Sequence, residues 1–155
     1  RHKDTMAYAA RMKGLYDTDG IYHIKEQHDS FVWDYARKEF EARGRKSKAR
    51  SYANKALKFQ PSLGSAYLLI SRLYASSANS CGTTQFEKRA IYWLAAETAR
   101  KAGRVDASLK KTAEQNALSH EGRAPSKTDI FTEGNAGTVI EFSCWFKGSV
   151  KVPNL

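Results

Sequence analysis

Apolar residues recur three and four positions apart in successive blocks of the chain, and only the tail from 138 onward changes to alternation. The first block, 5–16, predicts a helix, and the AspThrAspGly run at 17–20 predicts a turn. Helical spacing resumes at Ser30, a capping residue type, and runs through Phe31, Trp33, Tyr35, Ala36 and Phe40 until Gly44 and Arg45 break it. A second helix carries Ala49, Ala53, Ala56 and Leu57 on one face and stops at Pro61. A third takes Leu63, Ala66, Tyr67, Ile70, Leu73 and Tyr74, and 76–84 reads as a loop. Thr84 and Glu87 have capping-box spacing and open a fourth helix with Ala90, Trp93, Leu94, Ala99 and Ala102 on its face, ended by Gly103. Asp106 caps a fifth helix that runs to about His120, and Pro125 with the polar residues after it ends the helical part. The tail, 138–146 and 149–152, predicts two short strands turned by Lys147 and Gly148.

The blocks repeat. A shift of 34 residues lays Trp33 on Tyr67, Phe40 on Tyr74 and Lys38 on Arg72. A shift of 46 lays Ala49, Ala53 and Ala56 on Ala95, Ala99 and Ala102, and Ser62 and Leu63 on Ser108 and Leu109. The difference between the shifts is an insertion between the third and fourth helices. A helix-turn-helix unit of this period resembles the tetratricopeptide repeat. Trp33, Ala36, Arg37, Phe40, Ala49, Ala53, Ala56 and Pro61 stand at the positions of that consensus. Ala36 departs from its Leu, Arg37 from its small residue and Ala53 from its Phe. The second unit has Tyr67, Ile70, Ser71, Tyr74, Ala95, Ala99 and Ala102, with Ala107 where Pro is usual. Small residues let paired helices approach and the aromatics fill the space between units, so the spacing needs no ligand to explain it. The resemblance implies a mostly α fold, an α-solenoid of such units, with the short β hairpin as a terminal cap. Three regions follow: an N-terminal helix and turn over 1–29 as the end of a preceding region, helical repeats over 30–122, and a linker with the hairpin over 123–155.

AlaSerSerAlaAsnSerCysGly at 75–82, PheGluLysArgAlaIleTyrTrpLeuAlaAla at 86–96, AlaProSerLysThrAspIlePhe at 124–131 and CysTrpPhe at 144–146 resemble the C-terminal part of a family of secreted tetratricopeptide-repeat proteins of Gram-negative bacteria. The ValLysValProAsnLeu ending departs from that family's ValArg ending. The resemblance implies a periplasmic, cell-envelope or extracellular location. The chain opens on Arg1 without a signal pattern, which reads as a trimmed product or a fragment. Cys81 and Cys144 are the two cysteines. They lack CysXXCys spacing and cannot hold a metal alone, so they are either two separate thiols or a pair. The oxidising location implied by the resemblance permits a disulfide, which would staple the loop at 81 to the tail at 144.

Charge changes the picture of partners. The 155 residues carry 26 basic and 16 acidic groups, a net +10. The excess gathers in 37–58, with Arg37, Lys38, Arg43, Arg45, Lys46, Lys48, Arg50, Lys55 and Lys58 against Glu39 and Glu41, and again in 88–111. Such a field favours anionic partners, although no aromatic platform interleaves the cations as single-strand nucleic-acid binders require. Lys38 and Arg72 share one register of successive units, the register that faces the inner surface of stacked helix pairs. They are therefore the candidate partner-binding pair for an acidic peptide or a terminal carboxylate, unless Asp34 and Glu41 neutralise Lys38 locally. No apolar run approaches the ~20 residues of a membrane helix.

Catalytic patterns are weak. His23 and His28 are five apart, off the spacing of a helical metal pair, and a surface or capping role is expected for His2, His23, His28 and His120. AspThrAspGly at 17–20 starts like a calcium loop, but Ile21 and His28 occupy positions that need oxygen ligands. The expectation is a non-enzymatic interaction or scaffold module with no cofactor and no metal, binding a protein or peptide. The alternatives are nucleic-acid or anionic-polymer binding through the basic helix faces, and a structural subunit of a larger envelope assembly.

Overall fold

The structure, a computed structural model, describes residues 33, 34, 37, 38 and 45–155. The predicted helix at 5–16, the turn at 17–20, His2, His23, His28 and Phe40 lie outside the described residues. Residues 45–155 build six α-helices and a C-terminal antiparallel hairpin: α1 (Lys46–Phe59), α2 (Gly64–Ala75), α3 (Ala78–Cys81), α4 (Gln85–Val105), α5 (Lys110–Glu121), α6 (Lys127–Glu133), β1 (Val139–Ser143) and β2 (Lys147–Lys151).

Alanine sets the helix packing. Ala49, Ala53 and Ala56 on α1 and Ala95, Ala99 and Ala102 on α4 are all 0–1% exposed, so both triplets predicted to be equivalent lie in close contacts. The 21-residue α4 is the central helix, with α2 along it on one side and α5 on the other. It therefore buries Ala90, Ile91, Ala95, Ala96, Thr98, Ala99 and Ala102 rather than a single stripe. The main core joins Ala49 and Ala53 to Leu69, Ile70, Leu73 and Tyr74 of α2, Ala90 and Ile91 of α4, and Phe142, Phe146 and Val150 of the hairpin, with Trp33 packed against it.

Several boundaries differ from the sequence expectation, each for a physical reason. The 76–84 segment is not all loop: Ser77 donates to the Leu73 carbonyl at 2.7 Å and starts the single turn α3. Gly103 does not end α4, which continues to Val105. A Cβ at Gly103 would sit 3.1 Å from the Lys110 Cα and 3.3 Å from the Ala113 Cβ, so the glycine permits the close crossing of α4 and α5. The fifth predicted helix opens as a 3-10 turn over Ala107–Leu109, with the Asp106 carboxylate accepting from the Ser108 amide. Pro125 does not end the helical part. Ser126 and Asp129 form a reciprocal capping box that starts α6, and Gly134 in the left-handed region ends it. The Thr84 and Glu87 capping box stands as predicted.

The hairpin turn is at Cys144–Phe146, and Lys147 and Gly148 belong to β2. Register pairs Ile140 with Val150 and Phe142 with Gly148, and alternation turns Phe142 and Val150 into the core. The hairpin does not sit beyond the last helix. Its tip reaches the end of α2 and the side of α1, where Phe146 lies 4.6 Å from Tyr74, centroid to centroid, and the Arg50 guanidinium covers both rings. Behind it, Val152 is fully buried with Phe86 and Ile130, and its amide donates to the Thr138 carbonyl at 2.8 Å.

Candidate functional site

Cys81, at the end of α3, is bonded to Cys144 at the start of the hairpin turn, joining positions 63 apart. The next residue, Trp145, donates its indole N–H to Ser77 Oγ at 2.8 Å, and Ser77 is fully buried. The hairpin tip is thus held by α3 through the disulfide and Ser77, and by Tyr74 of α2 through tilted ring contacts with Trp145 and Phe146. The consequence is a half-buried Trp145 with little freedom to move.

Facing it is the first turn of α1. Arg45, Lys46, Ser47, Lys48 and Trp145 line an open cleft of about 590 Å³. Lys46 Nζ donates to the Ser76 carbonyl at 3.1 Å, at the carbonyl end of α2 where a cation is favoured. Lys48 is exposed and makes no ion pair with a described residue. The first turn of α1 contains no acidic residue, and no Asp or Glu occurs anywhere in 43–86. Cations at the positive end of a helix repel its dipole, and α1 has no side chain capping its start. The exposed stripe Lys48, Lys55 and Lys58 continues down α1, with Lys55 lying 5.8 Å from the Tyr52 ring centroid.

Two of the cations of α4, Arg89 and Arg100, are committed to partners. Arg100 makes paired contacts of 2.8–3.2 Å with Glu114 and Glu121 of α5. The Arg100 hydrogen bond holds Glu121 below its ordinary range, against the opposing effect of burial. Arg89 donates to the Asp129 carboxylate and to the Arg123 and Ala124 carbonyls, tying the linker before α6 to α4. His120 is half-buried and stacks on Tyr92, with Nδ1 unpartnered among the described residues. Burial lowers its pKa, and the nearby Arg123 lowers it further. Of the surface or capping role expected for it, the open-surface one does not hold: His120 lies half-buried in the last turn of α5.

Lys38 and Arg72 are both exposed, and each is engaged in an interaction within the chain. Asp34 pairs with Arg37 at 3.9 Å. No local sequence pattern marks the whole cleft, because Trp145 and the start of α1 are about a hundred residues apart; the acid-free stretch 43–86 marks one wall. Among the described residues no group of His, Cys, Asp and Glu is arranged to hold a metal, and no helix is long and apolar enough to cross a membrane. Comparison with family models, curated proteins and solved structures finds no match to this chain.

Proposed function

We propose that this chain is a non-enzymatic protein-interaction module built from tetratricopeptide-like helix pairs and working in the periplasm, the cell envelope or outside the cell. The observation that carries the reading is the equivalence of Ala49, Ala53 and Ala56 with Ala95, Ala99 and Ala102: a shift found in sequence falls on residues that are all buried to the same extent. The longer helices α1, α2, α4 and α5 each pack on the next, which is how repeat units bury faces that none could bury alone. The Cys81–Cys144 bond is compatible with an oxidising compartment. In this reading Lys38 and Arg72 are equivalent cations on the partner-facing surface, and they hold an acidic segment by charge-assisted hydrogen bonds. The test is affinity capture from a native envelope fraction with the Lys38→Glu, Arg72→Glu double variant. Loss of capture supports the groove assignment, and unchanged capture removes it.

A second reading, binding of nucleic acid or another anionic polymer, is favoured by the acid-free stretch 43–86 and the Lys48, Lys55 and Lys58 stripe. It requires affinity that falls steeply with salt. Elution from a heparin column at low salt would discard it.

A further inference from the structure

We propose that the outer edge of β2 takes up an acidic, extended segment of a partner protein as a third, antiparallel strand, with carboxylates set opposite Lys147 and Lys151. The proposal rests on the protein-interaction reading and adds to it a second contact of stated chemistry, on the hairpin instead of the helical groove.

Three observations carry it. The first is the ladder. The Val152 amide donates to the Thr138 carbonyl and the Cys144 amide to the Phe146 carbonyl, so in the register between them the even-numbered residues carry the hydrogen bonds that join β1 to β2. The backbone of Lys147, Ser149 and Lys151 therefore points away from β1. These three residues are exposed, and their N–H and C=O groups meet no partner among the described residues. An open row of donors and acceptors is a template for another strand. The second is charge. Lys147 and Lys151 make no ion pair among the described residues. Glu141 stands directly opposite Ser149 and lies diagonal to both lysines, which leaves one carboxylate for two cations. On a strand added to β2 the acidic side chains fall beside those cations, whereas the outer edge of β1 presents Glu141 at its centre and repels the same segment. A second copy's β2 paired about Ser149 would set Lys147 against Lys151 twice, and each copy carries +10, so the edge favours an acidic partner over itself. The third is rigidity. The Cys81–Cys144 bond, with Phe142, Phe146 and Val150 buried in the core, holds the hairpin in place before any partner arrives. An edge ordered in advance lowers the entropic cost of docking.

The test uses the full oxidised chain, labelled with nitrogen-15, and reads amide hydrogen exchange along the hairpin. The probe is an acetylated hexapeptide amide with the order Glu, Val, Thr, Val, Glu, Val. Its controls are the same peptide with Lys for Glu, and a copy N-methylated at Thr and at the second Glu, whose amides would donate to β2. The expected result is saturable binding: with peptide at about ten times its dissociation constant, exchange slows about tenfold at Lys147, Ser149 and Lys151 and is unchanged at Val139, Glu141 and Ser143. The lysine and N-methylated peptides should bind about fivefold or more weakly. Ser149→Pro removes an outward N–H and no bond of the hairpin, and it should weaken the acidic peptide by a similar factor, as should Lys147→Thr combined with Lys151→Thr. An unchanged Trp145 indole resonance shows that these variants keep the hairpin docked, and the N-methylated peptide tests the same bonds on the unaltered protein. No protection at the three β2 amides with millimolar acidic peptide overturns the proposal, as does protection at the β1 edge in their place. Equal affinity for the lysine or N-methylated peptide overturns it as well. Protection that grows with protein concentration in the absence of peptide makes a second copy the occupant and has the same consequence. Failure here, with capture lost in the Lys38→Glu, Arg72→Glu variant, removes this edge alone; binding here, with capture unchanged in that variant, removes the groove assignment alone.

Discussion

Removing the Cys81–Cys144 bond with the Cys81→Ser, Cys144→Ser double variant tests how the hairpin is held. The bond spans 63 positions, and in the chain-entropy description closing a loop of that size removes about 14 cal/mol/K from the unfolded chain, or about 4 kcal/mol at 25 °C. The hairpin also has its own attachment: Phe142, Phe146, Val150 and Val152 are 0–6% exposed, and burying such a side chain contributes about 1.5–3 kcal/mol. That is enough to keep the tail docked once the bond is gone. The loss should therefore appear in global unfolding and leave the native spectrum unchanged. In urea, with a slope of about 2 kcal/mol/M, the midpoint should fall by about 2 M while the near-UV circular dichroism of the native baseline is retained. Coincident midpoints for the two proteins would refute the entropic reasoning. Free hydrogen exchange at the Phe142 and Val150 amides in the variant would refute the independent attachment.

Other consequences follow from single contacts. Ala53→Phe restores the residue usual in the repeat consensus, but Ala53 is fully buried, so thermal unfolding should show a loss of about 1–3 kcal/mol from overpacking. Arg89→Met removes three hydrogen bonds to 123–129, which are exposed or part-buried; a loss of about 1–2 kcal/mol and faster amide exchange across α6 are expected. His120 has a folded pKa below its ordinary 6.5, so its contribution is fully present above that value and is lost as pH falls from it through the folded value. Denaturation between pH 7 and pH 5 should show this decline, and His120→Gln should flatten it.

Much of the helical architecture could be read from the chain itself because its signals are local. Alanine spacing at 49, 53 and 56 defines the buried face of α1, Pro61 stops the chain after it, and the Thr84 and Glu87 pair starts α4; each works within one turn of helix. Even so, Ser126 and Asp129 carry the same capping-box logic with Asp in place of Glu, and the nearby Pro125 obscured it. Gly103 looked like a helix stop because its reason is a neighbour, the Lys110 backbone, that no sequence window contains. The hairpin register was displaced because Lys147 and Gly148 resemble a turn, whereas the disulfide and the Trp145 bond to Ser77 put the bend at Cys144–Phe146. Tertiary structure alone decided that the tail folds back on α1 and α2. Long-range contacts are chosen by which apolar faces remain uncovered after the helices pack, and that surface does not exist until they do. The cleft at Lys48 and Trp145 is a product of the same step: its charge was written in the first half of the chain and its aromatic wall in the last twelve residues, and only folding brings the two together.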